Sequence, residues 1–316
     1  MTELRIIFMG TTPLSCASLT ALIGLAGTKL AAVVTQPDRP KGRDLAVQPP
    51  PVKELALRHG LPVLQPEKAR HEAFIAELRR LMPDLIVVAA YGHILPPAIL
   101  ELPRFGCINV HTSLLPKYRG AAPIQWAILN GESETGVTIM KMDAGMDTGP
   151  ILAQAATPIR PEDNAQTLHD RLAGLGAELL VATLPEYVGG KIPARPQPAE
   201  GVSSAPKLNK QDGRIDWGQP ARAIGNRIRA FTPWPGAFTF LPAAPQPHLL
   251  KLWRAEVVEG GAAAPGTILQ SGKSGLVVAC GQGALVILEL QREGSRRLAA
   301  PEFLAGHPLQ PGQRLG

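Results

Sequence analysis

The chain has 316 residues, of which 45% are hydrophobic, so it is long enough to form two domains with buried cores. Its three cysteines lack the spacing of a metal site, and no apolar run of 18 or more residues predicts a transmembrane helix. The apolar run near the first residue is too short for a signal peptide, so we expect a cytoplasmic protein that does not bind membranes.

The excess of positive over negative charge lies entirely in the last third of the chain. Residues 1–205 contain 19 Lys and Arg and 19 Asp and Glu, whereas residues 206–316 contain 13 and 7, which accounts for the net charge of +6. Such an asymmetry is typical of a module that binds a polyanion, although an ordinary solvated surface would give the same count. Charge alone leaves nucleic-acid binding open.

The first 188 residues alternate short apolar runs with segments of helical spacing. Strands are predicted at 5–9, 30–34, 85–90, 107–111 and 137–140, and helices at 14–23, 51–58, 74–81 and 168–184. This order predicts βαβ units in an α/β domain, with a Rossmann-like, mainly parallel sheet and helices on both faces.

The composition changes after residue 188. Residues 189–206 are rich in Gly, Pro, Ala and Ser, which is typical of a linker. Residues 207–316 contain a predicted helix at 221–231 and β-like runs at 237–241, 249–258, 275–279 and 285–290, separated by turns. Short strands of this kind favour a small β-barrel. We therefore predict a catalytic domain over 1–188, a linker over 189–206 and a second domain over 207–316.

Two cofactor motifs are missing after the first predicted strand. The sequence there is Gly10-Thr11-Thr12-Pro13, which is neither a dinucleotide fingerprint nor a phosphate-binding P-loop. The sheet is therefore not predicted to bind NAD or ATP.

Asn109 and His111 lie two residues apart at the end of a predicted strand, so their side chains point to the same face. Ligands of open α/β sheets bind beyond the carboxyl ends of strands. An amide that donates to a developing oxyanion and an imidazole that moves a proton suit acyl transfer. Two polar residues satisfied by local hydrogen bonds would give the same pattern.

Two acids follow the predicted strand at 137–140. Asp143 and Asp147 lie in a Gly-containing loop, from which a carboxylate can reach and orient the imidazole. A turn in which Asp side chains bind backbone amides is the alternative, and we expect it to hold for one of the two.

Several motifs together resemble the folate-dependent formyltransferases. They are Asn109-Val110-His111-Thr112-Ser113-Leu114-Leu115-Pro116, Arg119-Gly120-Ala121-Ala122-Pro123-Ile124, Asp147-Thr148-Gly149 and Ala90-Tyr91-Gly92-His93-Ile94-Leu95-Pro96. The segments Thr35-Gln36-Pro37-Asp38-Arg39-Pro40, Ala205-Pro206-Lys207-Leu208, Arg214-Ile215-Asp216-Trp217 and Pro233-Trp234-Pro235-Gly236 are similar to the branch that acts on methionyl-tRNA. The resemblance covers nearly the whole chain.

The resemblance implies a fold, a reaction and a set of site residues. It implies an OB-like β-barrel as the C-terminal domain, and transfer of a formyl group from 10-formyltetrahydrofolate, without a metal, to the amino group of initiator methionyl-tRNA. The catalytic residues it implies are Asn109, His111 and Asp147. The folate-binding residues it implies are Tyr91, Gly92, Ile94, Ser113, Leu114, Leu115 and Pro116. The tRNA-binding residues it implies are Arg39, Lys41 and Arg43 in the loop 36–43 and Lys207, Lys210 and Arg214 in the second domain. A bacterial, monomeric enzyme is expected.

Two other functions remain open at this point. One is formylation of a small amine, such as a ribonucleotide or an amino sugar, by a relative with the same Asn, His and Asp. The other is an RNA-binding module whose enzyme domain is inactive. The basic C-terminal region speaks against the ribonucleotide enzyme, and the intact triad speaks against the inactive module.

Overall fold

The structure is a computed structural model that describes residues 3–41, 46–242 and 246–316. Its strands are β1 (Leu4–Gly10), β2 (Thr28–Val34), β3 (Arg39–Lys41), β4 (Ala46–Gln48), β5 (Val63–Leu64), β6 (Leu85–Ala89), β7 (Cys107–His111), β8 (Arg119–Gly120), β9 (Glu134–Lys141), β10 (Ile151–Pro158), β11 (Ser204–Ala205), β12 (Ala237–Leu241), β13 (His248–Val258), β14 (Ile268–Gly272), β15 (Gly275–Ala279), β16 (Ala284–Arg292) and β17 (Leu298–Ala299). Its α-helices are α1 (Pro13–Ile23), α2 (Pro51–Arg58), α3 (Glu72–Leu81), α4 (Pro97–Leu100), α5 (Pro123–Leu129), α6 (Ala165–Val188), α7 (Ala221–Ala230) and α8 (Ala300–Gly306).

The large sheet has the strand order β10-β9-β7-β6-β1-β2-β5, counted over the described ranges. The pairs from β7 through β6, β1 and β2 to β5 are parallel, whereas β9 runs antiparallel to both β7 and β10. Strand β6 is a continuous apolar run, and β1, β6 and β7 all have little exposure, because helices cover both faces of a parallel sheet.

Helices pack on both faces of this sheet. On one face Ile7, Met9, Ile86 and Val88 share a core with side chains of α3 and α4. On the other face α6 crosses so closely that a Cβ on Gly176 would lie 3.0 Å from Cγ1 of Val110. Since residues of β7 alternate between the faces, Asn109 lies on the α3 side, opposite Val110.

The second sheet is antiparallel, with the order β12-β13-β16-β15-β14 and β17 on β16 among the described strands. Its core contains Leu250, Leu252, Val278 and Ile287, and α7 and α8 contribute Ile224, Ile228 and Phe303. Trp217 packs in the same core, and its indole N–H donates to Oγ1 of Thr239 at 3.0 Å.

The chain forms two compact units. The first extends to Pro123 and includes Glu134–Pro158 and His169–Pro206, and the second consists of Ile124–Ser133, Ile159–Leu168 and Lys207–Gly316. The predicted linker residues 189–206 belong to the first unit, where Arg195 pairs with Ile151 and β11 pairs in parallel with β8. The domain boundaries themselves stay a prediction.

The predicted fold class is confirmed, with a mostly parallel α/β sheet and a C-terminal antiparallel β-sheet domain. Sequence reasoning did not predict β10, the β3–β4 hairpin or helix α5. Strand β10 carries Ala and Gln at its outward positions and lies at the sheet edge, so it lacks the apolar run that marks the central strands.

Candidate active site

A cavity of about 460 Å³ lies at the carboxyl ends of β1 and β6 and against β7. It falls in the size range of small-ligand sites, roughly 300–1,000 Å³. Its walls are the start of α1, the segment after β6, the end of β7 and the loop that follows β9. The residues that line it include Thr12, Leu14, Val88, Ala90, Tyr91, Gly92, His93, Ile94, Leu95, Asn109, His111, Ala121, Met140, Met142, Met146 and Asp147.

The structure brings Asn109, His111 and Asp147 together in this cavity. Asn109 Nδ2 donates to Oδ1 of Asp147 at 3.4 Å, and His111 Nδ1 lies 3.6 Å from Oδ2 of the same carboxylate. A shorter bond, 2.8 Å, runs to Oδ2 from the backbone N–H of Gly120. The two side-chain contacts are long for hydrogen bonds, as catalytic contacts often are before substrate binds.

His111 is 5% exposed, and its other ring nitrogen also faces an oxygen. Nε2 lies 3.0 Å from the carbonyl oxygen of Tyr118. Because a carbonyl only accepts, Nε2 carries a proton in this contact. A second proton on Nδ1 would point at the Asp147 carboxylate, so Nδ1 is the ring atom at which a proton can come and go.

Asp143 does not join this cluster. Its Oδ1 accepts from the backbone N–H of Gly145 at 3.0 Å and from Oγ1 of Thr148 at 2.7 Å. The carboxylate therefore closes a turn, as we expected for one of the two acids. Asp147 is the acid that faces the imidazole.

Three residues in or next to the cavity have strained backbone conformations. Ala90, Tyr118 and Asp147 have φ values of 42°, 62° and 53°, in the left-handed region that residues other than Gly seldom adopt. Such conformations cost roughly 1–3 kcal/mol each and persist only where surrounding contacts hold them. At Asp147 the strained backbone carries the carboxylate that meets Asn109 and His111.

The segment after β6 lines the cavity and contains two buried polar atoms. The Tyr91 hydroxyl and Nδ1 of His93 are buried without a hydrogen-bond partner among the described residues, and the two rings meet edge-on at 5.2 Å. Burial raises the pKa of Tyr91 to about 12, so its hydroxyl is a neutral donor. Burial, followed by the charge of Arg39, lowers the pKa of His93. Gly92 and Ile94 line the same wall, with Ile94 81% exposed at the rim.

The other predicted folate residues, Ser113 to Pro116, are not among the residues that line the cavity. Ser113 Oγ donates to the carbonyl of Lys117 at 2.6 Å, and Leu115 packs with Met140 and Ile151. Cδ2 of Leu114 would lie 2.6 Å from a Cβ on Gly136. These contacts hold the turn after β7, and contact of this turn with folate stays a prediction.

Strand β3 lies in the predicted basic loop 36–43 and pairs antiparallel with β4, which follows the loop. Arg39 is exposed at its start, Lys41 ends β3, and Arg43 lies outside the described residues. Asp38 anchors the base, since its carboxylate accepts from Gln65 and from Lys53 at 2.7 Å each.

The three cations predicted in the second domain are exposed. Lys207 and Lys210 lie before and in a short 3₁₀ turn, and the Arg214 guanidinium lies 5.7 Å from the centroid of the Phe240 ring. They follow one another along the start of this unit.

Sequence reasoning missed Gln197, which lies in the predicted linker. Its side chain contacts the backbone of Asp147 and Gly149 and the guanidinium of Arg119. A single Gln between two prolines gives no pattern from which such contacts can be read.

No cluster of three or more His, Cys, Asp or Glu with metal-binding geometry occurs within 3–41, 46–242 and 246–316. Over the same described stretches, none of the helices combines the length and apolar character needed to cross a membrane.

Known proteins resemble the chain over its full length. The model of the family described as formyl transferase matches residues 4–184, and that of the formyl transferase C-terminal domain matches residues 207–308. A methionyl-tRNA formyltransferase of Citrifermentans bemidjiense is 54% identical over 316 residues, covering 100% of this chain and 98% of the relative. The enzyme of the same name from Myxococcus xanthus is 53% identical, covering 99% of this chain and 98% of the relative.

Solved structures share the fold at lower identity. An N-formyltransferase of Helicobacter canadensis, in complex with folinic acid and dTDP-3-aminofucose, is 19% identical with a TM-score of 0.63, covering 94% of this chain and 100% of that one. HypX of Aquifex aeolicus, in complex with tetrahydrofolic acid, is 18% identical with a TM-score of 0.62. That match covers 99% of this chain, which spans 51% of the HypX chain. With both family models matched and relatives more than half identical from end to end, the chain belongs to the formyl transferase family.

Proposed function

We propose that the chain transfers the formyl group of 10-formyltetrahydrofolate to the free amino group of initiator methionyl-tRNA, giving N-formylmethionyl-tRNA for translation initiation. The observation that carries this proposal is the meeting of Asn109, His111 and Asp147 in one cavity of a chain from this family. Relatives named methionyl-tRNA formyltransferase, 54% identical over the whole length, support the acceptor.

The reaction forms one C–N bond and breaks another. The amine attacks the formyl carbon, the formyl oxygen gains negative charge, and the bond to the folate nitrogen then breaks. The Asn109 amide donates to that oxygen, in the role of an oxyanion hole. Doubly protonated His111 places positive charge beside it. The Nδ1 proton then passes to the leaving nitrogen, because Nε2–H remains bound to the Tyr118 carbonyl.

Asp147 holds the charged imidazole and helps to take up the proton that the attacking amine loses. Its carboxylate faces His111 Nδ1 at 3.6 Å and is itself fixed by the Gly120 N–H. The proton balance closes within the site, since the amine loses one proton and the leaving nitrogen gains one.

Folate is proposed to occupy the cavity because its lining combines apolar and polar side chains. Apolar Val88, Leu95 and Met140 lie in the same lining as polar Asn109, His111 and Asp147. A flat heteroaromatic ring with a polar edge needs this combination. When bound, 10-formyltetrahydrofolate supplies the activated formyl group. Gly92 and Ile94 lie along the same wall, and contact of folate with Ser113, Leu114, Leu115 and Pro116 belongs to the same proposal.

The tRNA contacts are proposed for two groups of cations. Arg39, Lys41 and Arg43 would grip the acceptor end, while Lys207, Lys210 and Arg214 would hold the backbone by phosphate contacts. Preference for the initiator tRNA, a monomeric state and a place in the bacterial cytoplasm belong to the same proposal.

A substrate comparison tests the acceptor. We expect kcat/KM for methionyl-tRNA to exceed that for methionine methyl ester or a nucleotide-linked amino sugar by several orders of magnitude. Arg43→Ala should lower the formylation rate more than tRNA affinity, because that loop positions the reacting end. Equal turnover of a small free amine, with methionyl-tRNA formylation unchanged in Arg43→Ala, would replace this proposal with the small-amine enzyme.

A further inference from the structure

The backbone on both sides of Thr148 is held by one side chain. Gln197 Nε2 donates to the carbonyl oxygen of Asp147 at 2.7 Å and to that of Gly149 at 2.8 Å. These two bonds use both hydrogens of the amide. They act on the residue whose φ of 53° is strained, so they oppose relaxation of Asp147 toward an ordinary conformation.

The other end of the same amide binds a cation. Gln197 Oε1 accepts from Nε of Arg119 at 3.0 Å and from Nη2 at 2.7 Å. All four donor–acceptor contacts therefore require the same orientation of the Gln197 amide. A flipped amide would set its NH₂ group against the guanidinium and its oxygen against two carbonyls.

Arg119 is also connected to the Asp147 side chain through the backbone. The next residue, Gly120, donates its N–H to Oδ2 of Asp147 at 2.8 Å. The contacts thus form a closed ring from the Asp147 carboxylate through Gly120 and Arg119 to Gln197, and back to the Asp147 carbonyl. Backbone and side chain of Asp147 are fixed by one network.

The chain around Gln197 is itself fixed to the first unit. The Arg119 N–H donates to the carbonyl of Ser203 at 2.9 Å, and the Ala121 N–H donates to that of Ala205 at 2.9 Å. These bonds belong to the parallel pairing of β8 and β11, and on the other side of Gln197 the backbones of Arg195 and Ile151 exchange two hydrogen bonds, so the segment is attached to the first unit before and after Gln197. A positioning group needs such an attachment to hold another side chain to a fraction of an ångström.

We propose that Gln197 is a positioning residue for the formyl transfer: it sets the strained backbone of Asp147 and couples it to Arg119, so that the carboxylate meets Asn109 and His111. This inference rests on the proposed catalytic role of Asp147. It assigns a part in the active site to a segment that composition marks as a linker.

Two variants separate the contacts of Gln197. In Gln197→Ala the Asp147 carbonyl loses its donor, and a misplacement of about 1 Å lowers kcat by about 10²-fold, with little change in KM for methionyl-tRNA. Gln197→Glu keeps an acceptor for Arg119 but sets an oxygen against two carbonyls, so its kcat should fall at least as far. Glu200→Ala, in the same segment and exposed, is the control with unchanged kcat. Thermal unfolding of each variant shows whether a loss of activity is a loss of folded protein.

A double-mutant cycle with Asp147→Asn decides the outcome. If Gln197 acts through Asp147, the double variant is no slower than Asp147→Asn alone. Wild-type kcat in both Gln197 variants, activity retained in Gln197→Glu alone, or a loss in the double variant equal to the product of the single losses would each overturn the inference. Wild-type kcat in Asp147→Asn would instead refute the proposed role of Asp147, and this inference with it.

Discussion

The Asp147 carboxylate is the point at which the polar groups of the cavity meet. One of its oxygens faces the Asn109 amide, and the other faces His111 and is bound by the Gly120 N–H. Its side chain is 17% exposed, so most of its solvation comes from these groups rather than from water. A carboxylate in this position orients two partners at once, which is more than an ion pair with His111 alone would do.

Removal of the Asn109 amide should affect the chemical step rather than the fold. Asn109→Ala deletes one donor to the developing oxyanion, for which a loss in kcat of about 10²–10³-fold is expected. Steady-state kinetics with methionyl-tRNA and 10-formyltetrahydrofolate measure this loss, and KM for either substrate should change far less.

Asn164→Ala is the matched control for this prediction. Asn164 Oδ1 caps the start of α6 by accepting from the N–H groups of Gln166 and Thr167. Its loss should lower the melting temperature, since an N-cap contributes about 1 kcal/mol, and leave kcat unchanged. An Asn109→Ala enzyme with wild-type kcat would show that the amide takes no part in the reaction.

Residue spacing predicted part of the site and could not predict the rest. Asn109 and His111 share a strand, so their common face follows from the two-residue period. The contact of Gln197 with Asp147 joins positions 50 residues apart through a segment without periodic pattern, and it depends on the fold around it. The role of Asp143 in a turn was likewise one of two alternatives until the geometry was known.

At the scale of elements, the pairing of β8 with β11 requires glycine at position 120. Gly120 has φ of 124°, and a Cβ there would lie 2.7 Å from the carbonyl oxygen of Ala205. Gly190 also has positive φ, 71°, but nothing lies within 4 Å of its Cβ position. Position 190 therefore has a left-handed φ without a steric clash, whereas position 120 combines a φ outside the left-handed region with a clash.

Gly120→Ala should destabilise the first unit more than Gly190→Ala does. Ala in the left-handed region, as at position 190, costs roughly 1–2 kcal/mol. At position 120 the φ of 124° lies outside that region, and overpacking adds typically about 1–3 kcal/mol. Urea unfolding at neutral pH measures the difference. Equal midpoints for the two variants would mean that β11 moves away from β8 without cost.

The β3–β4 hairpin rests on a charged anchor whose contribution depends on pH. Hydrogen bonds from Gln65 and then from Lys53 lower the pKa of the Asp38 carboxyl. A carboxyl with a lowered folded-state pKa stabilises the fold above its ordinary pKa, and this contribution is lost as pH falls through the lowered value.

Asp38→Asn should therefore be less stable than the wild-type chain at pH 7, and the difference should shrink below about pH 4. Thermal unfolding at a series of pH values tests this, with Glu200→Gln as an exposed control of the same charge change. A stability difference that stays constant from pH 7 to pH 3 would exclude the anchor as its cause.

Elements whose sequences show a clear pattern of buried positions were predicted closely from the sequence. The strand at 107–111 and the helix at 51–58 match the structure. In central strands and amphipathic helices, the spacing of apolar residues indicates which positions are buried. The hairpin β3–β4 has no such signal, since its strands are short and exposed where described. Edge and surface elements depend on neighbours that the sequence does not show.

The whole molecule combines a neutral catalytic part with a basic C-terminal part. The relatives that cover nearly the full length confirm the activity predicted from the sequence motifs. The excess positive charge of +6 over residues 206–316 matches a polyanionic acceptor, and Lys207, Lys210 and Arg214 are exposed at the start of this part. These cations lie in exposed positions at which neutralisation of phosphates would release counterions.

Substitution of Lys207 or Lys210 by Ala should therefore weaken binding of all tRNAs by a similar factor. Each phosphate contact contributes roughly 0.7–0.9 to the slope of log affinity against log salt, so each variant should flatten that slope by about this amount. Filter binding or fluorescence anisotropy from about 50 to 200 mM salt measures this slope for initiator and elongator tRNA.

Lys273→Ala is the control for loss of net charge alone, because it removes one exposed charge from the turn between β14 and β15. If Lys273→Ala flattens the slope as much as Lys207→Ala does, binding reflects the overall charge of the domain rather than phosphate contacts at the start of it. A slope that differs between the two tRNAs would instead assign these lysines to discrimination of the initiator, since non-specific phosphate contacts act on both alike.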